Sequence, residues 1–433
     1  MRKIILLALA VVFCTCARAQ SAKEEIKKNT RLSASNYLAY PGLSGNLTPA
    51  PDGLSPFYIS HYGSYGSCNI INQTELTYPY ECLTLADRHD KLTWFGKEVL
   101  RRLVMIHDDV KDRLGELTPL GADQQKQIAR RMFDRFPEVF KGNAHVDAKS
   151  TTVIRCILSM ENALQQLLTQ NHKLIITHDA SEHDMYFMNQ SDSNLWNKKM
   201  ISPAQTAYND YCIHHDRSAG VMQRLFSDTA YINREVNAER LNYYLFKLAS
   251  NLQNMELRKK ITLYDVFNDD EIYHNWLKDN AWWYIAFGPC PLNGGTQPFS
   301  QRNLLRTIIQ QADSCIRQPK PGAMLRFGHE TTMLSLACLL EINDFGLRTT
   351  ELEQLERKGW RNYRIFPMAS NLQFIFYRHN FSDKDVIFKV LLNENEVKLP
   401  LKTNMEPYYL WSDFKAYFLK KLDSYGEIER LRD

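Results

Sequence analysis

Residues Pro56 to Asn69 place the strongest constraint on the fold. Phe57 to Ile59 is a short apolar run, and it breaks into a loop with Gly63 and Gly66 three residues apart. In α/β folds, loops leaving the carboxyl end of a buried strand are where ligands bind. Glycines there admit positive φ and let backbone N–H groups approach a small anion. A plain turn has the same composition, so this stretch alone leaves both readings open.

The ends of the chain and its cysteines bound the setting. Met1-Arg2-Lys3 is followed by an apolar run from Ile4 to Phe13 and by Ala17-Arg18-Ala19. A basic start, an apolar stretch of about ten residues and an Ala-x-Ala site read as a secretory leader over residues 1–19. The run is too short to cross a bilayer, and no later segment is long and apolar enough to do so. An exported protein is therefore expected, in a bacterial periplasm or outside the cell. The formal net charge is +4, and the leader takes Arg2, Lys3 and Arg18 with it. The nearly neutral remainder carries no electrostatic footprint for nucleic acid. Cys68, Cys82, Cys156, Cys212, Cys290, Cys315 and Cys338 lie beyond the leader, and an odd number leaves at least one unpaired. Cys156 and Cys338 fall in apolar helical runs and read as buried thiols. Cys290 and Cys315 could pair in an oxidising compartment.

At 433 residues the chain needs one large domain with an insertion, or two domains. Residues 20–55 are polar and rich in Ser, Pro, Gly and Asn, and read as an irregular surface arm. Trp94 to Leu114 has apolar residues at helical spacing. Thr118 is a candidate N-cap with Pro119 at the first helical position, opening a helix to about Phe136. Residues 173–177 form a short strand. From about Ser181 to Gln318 the texture is helical, polar and aromatic, clearest at Tyr231–Met255 and Leu304–Ile316. Met324 to Leu334 returns to strand, loop and helix. Asn371–Tyr377 and Val386–Leu392 read as a hairpin, and Trp411–Leu422 as a closing helix. There is no internal repeat, Walker motif, zinc-ligand spacing or Gly-x-Ser-x-Gly elbow, so neither cofactor nor metal is expected.

Two places hold candidate site chemistry on their own residues. Arg155 sits at the start of an amphipathic helix, where it is either a surface arginine or a pocket guanidinium. His329-Glu330 opens an almost wholly apolar helix. A helix N-terminus favours the Glu330 carboxylate, and His329 would face the same opening. Capping with a structural histidine fits equally well.

Three stretches together resemble a known family: Tyr58 to Gly63, Leu117-Thr118-Pro119-Leu120-Gly121, and Arg326 to Leu340. They are similar to the histidine acid phosphatases of branch two, the group of phytases and multiple inositol polyphosphate phosphatases. The resemblance implies an α/β core sheet flanked by helices, from residues 20–180 and 320–433. It also implies a mostly helical inserted cap domain over residues 181–319. It makes Arg155 a phosphate-binding arginine, His329 a phosphate-binding histidine and Glu330 the acid that protonates the leaving oxygen. It implies a phosphate ester, such as an inositol phosphate, as ligand.

The family signature Arg-His-Gly-x-Arg falls on Ser64-Tyr65-Gly66-Ser67-Cys68. Tyr65 therefore stands at the nucleophile position, and Ser64 and Cys68 stand at the positions of two phosphate-binding arginines. An imidazole is unprotonated near neutral pH, whereas a phenol has a pKa near 10. Two readings follow. One is a histidine-phosphatase-like protein that binds a phosphate ester without turnover. The other is an active phosphomonoesterase of the inositol polyphosphate phosphatase type with a modified mechanism. His61, three residues upstream, and the Cys68 thiol are the substitutes such a mechanism would have to use.

Overall fold

Strand β1, Ser55–Ser64, is the middle of an eight-stranded mixed sheet. The computed structural model of the protein describes residues 20–43, 45–383 and 385–430, so the proposed leader lies outside the described residues. Strands β2 (His145–Ser150) and β3 (Ile175–Asp179) precede β4 (Gly322–Gly328) in the chain. Strands β5 (Asn371–Arg378), β6 (Ile387–Leu392), β7 (Asn395–Glu396) and β8 (Tyr409–Leu410) follow it. The order is β3-β2-β4-β1-β5-β6-β7, with β8 also on β6. β1 and β4 are parallel, with Ser64 opposite Gly328. The glycine loop and the His329-Glu330 junction thus leave the sheet side by side. β1 is antiparallel to β5, and β5 and β6 form the expected hairpin.

Alternation along β1 sorts its side chains between two cores. Tyr58 and Tyr62 join the large cluster on one face with Phe374, Phe376, Met333 and Phe414. Ile59 turns to the other face, under Ala129, Met132, Leu164 and Leu167 from the helices Pro119–Arg135 and Ile154–Gln170. With both faces covered, β1 is buried from Tyr58 onward. Pro56 is confined to its first turn of pairing, where the register to β5 shifts.

Between β3 and β4 the described residues form helices and no named strand. The expected helix Tyr231–Met255 is two, Thr229–Glu235 and Ala238–Asn251, because the Asn237 side chain accepts from Arg240 N–H and starts a new helix. No helix among the described residues is long and apolar enough to cross a membrane.

The arm departs from expectation. Ala22–Lys28 is an α-helix with a Ser21/Glu24 capping box, and Thr30–Tyr37 is 3₁₀ helix. Ser33 to Leu38 are buried. The arm is held by charge as much as by apolar contact, since Glu25 pairs with Arg361 at 2.9 Å and Arg364 at 2.6 Å. Only the part beyond about residue 40 is irregular and exposed.

Candidate functional site

The loop after β1 is fixed by backbone groups before any side chain is considered. Tyr65 N–H donates to Gly328 O at 3.1 Å, and Tyr65 O accepts from Ala369 N–H at 2.9 Å. Ser67 O accepts from both the N–H and the hydroxyl of Thr118, at 2.9 and 3.0 Å. Thr118 also caps its helix through Gly121 N–H, so one residue ties the loop to the helix start. The glycines do a different job from the one expected. Neither Gly63 nor Gly66 is among the positive-φ residues. A Cβ on Gly66 would lie 2.3 Å from Gly121 O, and one on Gly63 would lie 2.7 Å from the His61 ring. They permit close approach of backbone and ring, not a left-handed turn.

Tyr65 occupies the middle of the site with only 1% of its surface exposed. The Arg155 guanidinium lies over its ring, 4.4 Å from the centroid. The His329 ring meets it edge-on, with centroids 6.0 Å apart. Its phenol faces the Glu330 carboxylate. Burial, then the negative charge of Glu330, drives the phenol well above its ordinary pKa of 10, and nearby Arg155 offsets only part of this. Cys68 is fully buried beside Arg155 and Glu330, and desolvation pushes its thiol up to about 12. At neutral pH the Cys68 thiol is therefore held protonated.

Four of the sequence-derived positions, Arg155, His329, Glu330 and Cys68, thus gather around Tyr65. Ser64 is not turned to them. Its hydroxyl pairs with Ser370 Oγ at 2.9 Å, and its carbonyl accepts from Gln125 Nε2 at 2.9 Å. His329 is the N-cap residue of the helix Glu330–Leu339, yet its side chain makes no capping bond. Its ring is free to face Tyr65, while its N–H is held by Tyr62 Oη at 3.0 Å. Glu330 lies in the first turn, where the helix dipole favours its charge. Arg155 Nε and His329 Nε2 are buried without a hydrogen-bond partner among the described residues. Both are suited to an added acceptor.

His61 cannot take over as nucleophile. It lines the far side of the sheet with Ile128, Met132, Leu325 and Phe327, and its ring is 5.4 Å from that of Phe327. Burial, with Arg326 nearby, lowers its pKa to about 3.

Sequence reasoning missed the residues that hold the loop from a distance. Asn254 Oδ1 accepts from Ser67 Oγ at 2.7 Å, and Asn251 Nδ2 donates to Cys68 O at 3.1 Å. Asn251 ends the helix Ala238–Asn251 and Asn254 lies in the 3₁₀ turn that follows it, and nothing local to them signals a site.

Comparison with known proteins agrees with this fold. Multiple inositol polyphosphate phosphatase 1 of Gallus gallus is 22% identical over 342 residues, 71% of this chain and 70% of that protein. The protein of the same description from Dictyostelium discoideum is 28% identical over 110 residues, and the match spans only 17% of its length. The crystal structure of Bifidobacterium longum multiple inositol polyphosphate phosphatase with inositol hexasulfate has a TM-score of 0.76 at 17% identity. That superposition covers 89% of this chain and 97% of the other, and at such identity it shows the fold. The model of the histidine phosphatase superfamily, branch 2, matches residues 75–393, starting just after the loop that follows β1. A match over well over half of the sequence, on this sheet and this junction, means that the chain belongs to branch 2 of the histidine phosphatase superfamily.

Proposed function

We propose that this protein is a histidine-phosphatase-like binder of phosphate esters that does not hydrolyse them. The observation that carries the proposal is Tyr65, buried at the nucleophile position between Arg155, His329 and Glu330. Phosphoryl transfer through this fold needs an unprotonated nucleophile and guanidinium groups on the equatorial oxygens. A phenol held neutral supplies no nucleophile, and Ser64 and Cys68 supply no positive charge. Losing all three groups costs many orders of magnitude in rate.

Binding makes fewer demands than turnover. Arg155 contributes a permanent charge, and Arg155 Nε and His329 Nε2 contribute donor positions with no partner among the described residues. A phosphate-sized acceptor beside Arg155 would meet its permanent charge. Relatives of the same fold have been solved with phosphate and with inositol hexasulfate, which supports an anion of this class as the ligand here. Export rests on the leader. The helical segment 181–319 is proposed as a cap, supported by the contacts of Asn251 and Asn254 with the loop.

The test has two arms. Calorimetry with inositol hexasulfate is expected to give salt-sensitive binding that Arg155→Ala abolishes. Absence of binding by the wild type would refute the ligand assignment. The triple change Ser64→Arg, Tyr65→His, Cys68→Arg is expected to produce measurable release of phosphate from phytate. Ser64→Arg carries the largest stability cost, about 1–3 kcal/mol, because Ser64 is packed against Ser370.

A further inference from the structure

A second cluster of ligating side chains lies outside the centre around Tyr65. The helix Ser202–His214 ends in two consecutive histidines, with His215 as its C-cap. Across from them is Glu353 in the 3₁₀ turn Leu352–Gln354. One ligand atom from each of His214, His215 and Glu353 lies within 4.8 Å of the other two. We propose that these three residues bind a divalent transition-metal ion, with Zn²⁺ the best match.

Geometry comes first. His215 Nε2 is 3.1 and 3.2 Å from the two carboxylate oxygens of Glu353. Tetrahedral zinc with bonds of about 2.0–2.1 Å has ligand–ligand edges of roughly 3.3 Å, so this pair already has the required separation. His214 must close by roughly 1.5 Å at most. It is exposed and free to rotate, and its ring stands 85° from that of His215.

The surroundings of His215 supply an independent argument. It is 4% exposed, and both ring nitrogens are engaged. His215 Nδ1 lies 2.8 Å from His274 Nδ1, so one proton is shared between them. His274 Nε2 lies 3.6 Å from Asp270 Oδ2 and 3.3 Å from Arg217 Nη2. Metal-binding histidines are oriented in this manner, with the second nitrogen hydrogen-bonded to a fixed partner. With the metal on His215 Nε2, the Nδ1 proton is donated to His274.

The ligand set suits the metal. Two imidazoles and a carboxylate favour zinc over calcium or magnesium, and three protein ligands leave a fourth position open. Glu353 also lines a groove of about 670 Å³, together with Asp210, Tyr211, Glu351 and Lys358. The ion would tie the segment between β3 and β4 to the stretch that follows β4. Sequence spacing cannot reveal the site, because Glu353 is 138 residues from His215.

The test is titration of the mature chain with zinc chloride after chelator treatment, followed by calorimetry and thermal unfolding. One ion per chain and a rise in Tm with zinc are expected. Cobalt in its place should give the visible absorption of a four-coordinate site. His214→Ala and Glu353→Gln should each weaken zinc binding tenfold or more and remove the Tm rise. Both residues are exposed, so these variants keep the fold even where His215→Ala does not. No zinc uptake would leave only a His215–Glu353 hydrogen bond and overturn the proposal. Uptake undiminished in both variants would overturn it as well.

Discussion

At the residue scale, function turns on what one side chain displaces. In the proposed reading Tyr65 fills the place of an imidazole, and its ring sits between Arg155 and His329. That reading comes from the sequence, where the flank Tyr58–Gly63 sets the register of the proposed signature. The burial that silences the phenol was not readable, since it depends on Arg155 and Glu330 arriving from other elements. His61 shows the converse. Four residues away and chemically better suited, it is excluded by the pleat of a strand whose two faces are both core. Its burial has a consequence for stability. Folded His61 titrates at about 3 and the unfolded residue near 6.5, so in that window the unfolded chain takes up the extra proton. Stability therefore falls as pH drops through it, by about 2 kcal/mol from pH 7 to pH 5. Denaturant unfolding at the two pH values should show this loss, and His61→Leu should shrink it.

At the element scale, the site depends on three junctions between strand, loop and helix. The parallel pairing of β1 and β4 brings two of them together, and both strands were legible as apolar runs ending in glycine-bearing loops. Thr118 was legible as a cap from the following proline. Its second hydrogen bond to Ser67 O was not, because it joins positions 51 residues apart. Thr118→Ala should cost about 1 kcal/mol as a lost cap, with the loss of the Ser67 contact adding to it, and Thr118→Ser should restore most of this. Chemical denaturation of the two variants measures the difference. The arm was misread because its helices are polar and short. What orders them is the Glu25 cluster and the Ser21 capping box, which composition does not reveal. The helix Gln73–Arg88 was hidden by Pro79 within it.

At the scale of the whole molecule, the sheet order and the docking of the segment between β3 and β4 were out of reach of local patterns. Residues such as Asn254 and Ser370 act on the loop across large sequence distances. Disulfides play no part in holding the described residues together. All seven of their cysteines are free, and Cys290 and Cys315 do not pair. Maleimide labelling of the denatured mature protein without reductant should therefore modify every one of these thiols, and reductant should leave the Tm unchanged.

The central claim is that a member of this family has kept the fold and lost the reaction. The most direct measurement is phosphate release by the purified wild-type protein, from phytate and from an aryl phosphate, across acid to neutral pH. Release at the level of a buffer blank is the expected result, unchanged in Tyr65→Phe and in Glu330→Gln. Release above that level that disappears in Glu330→Gln would contradict the claim and mark the protein as a working phosphatase.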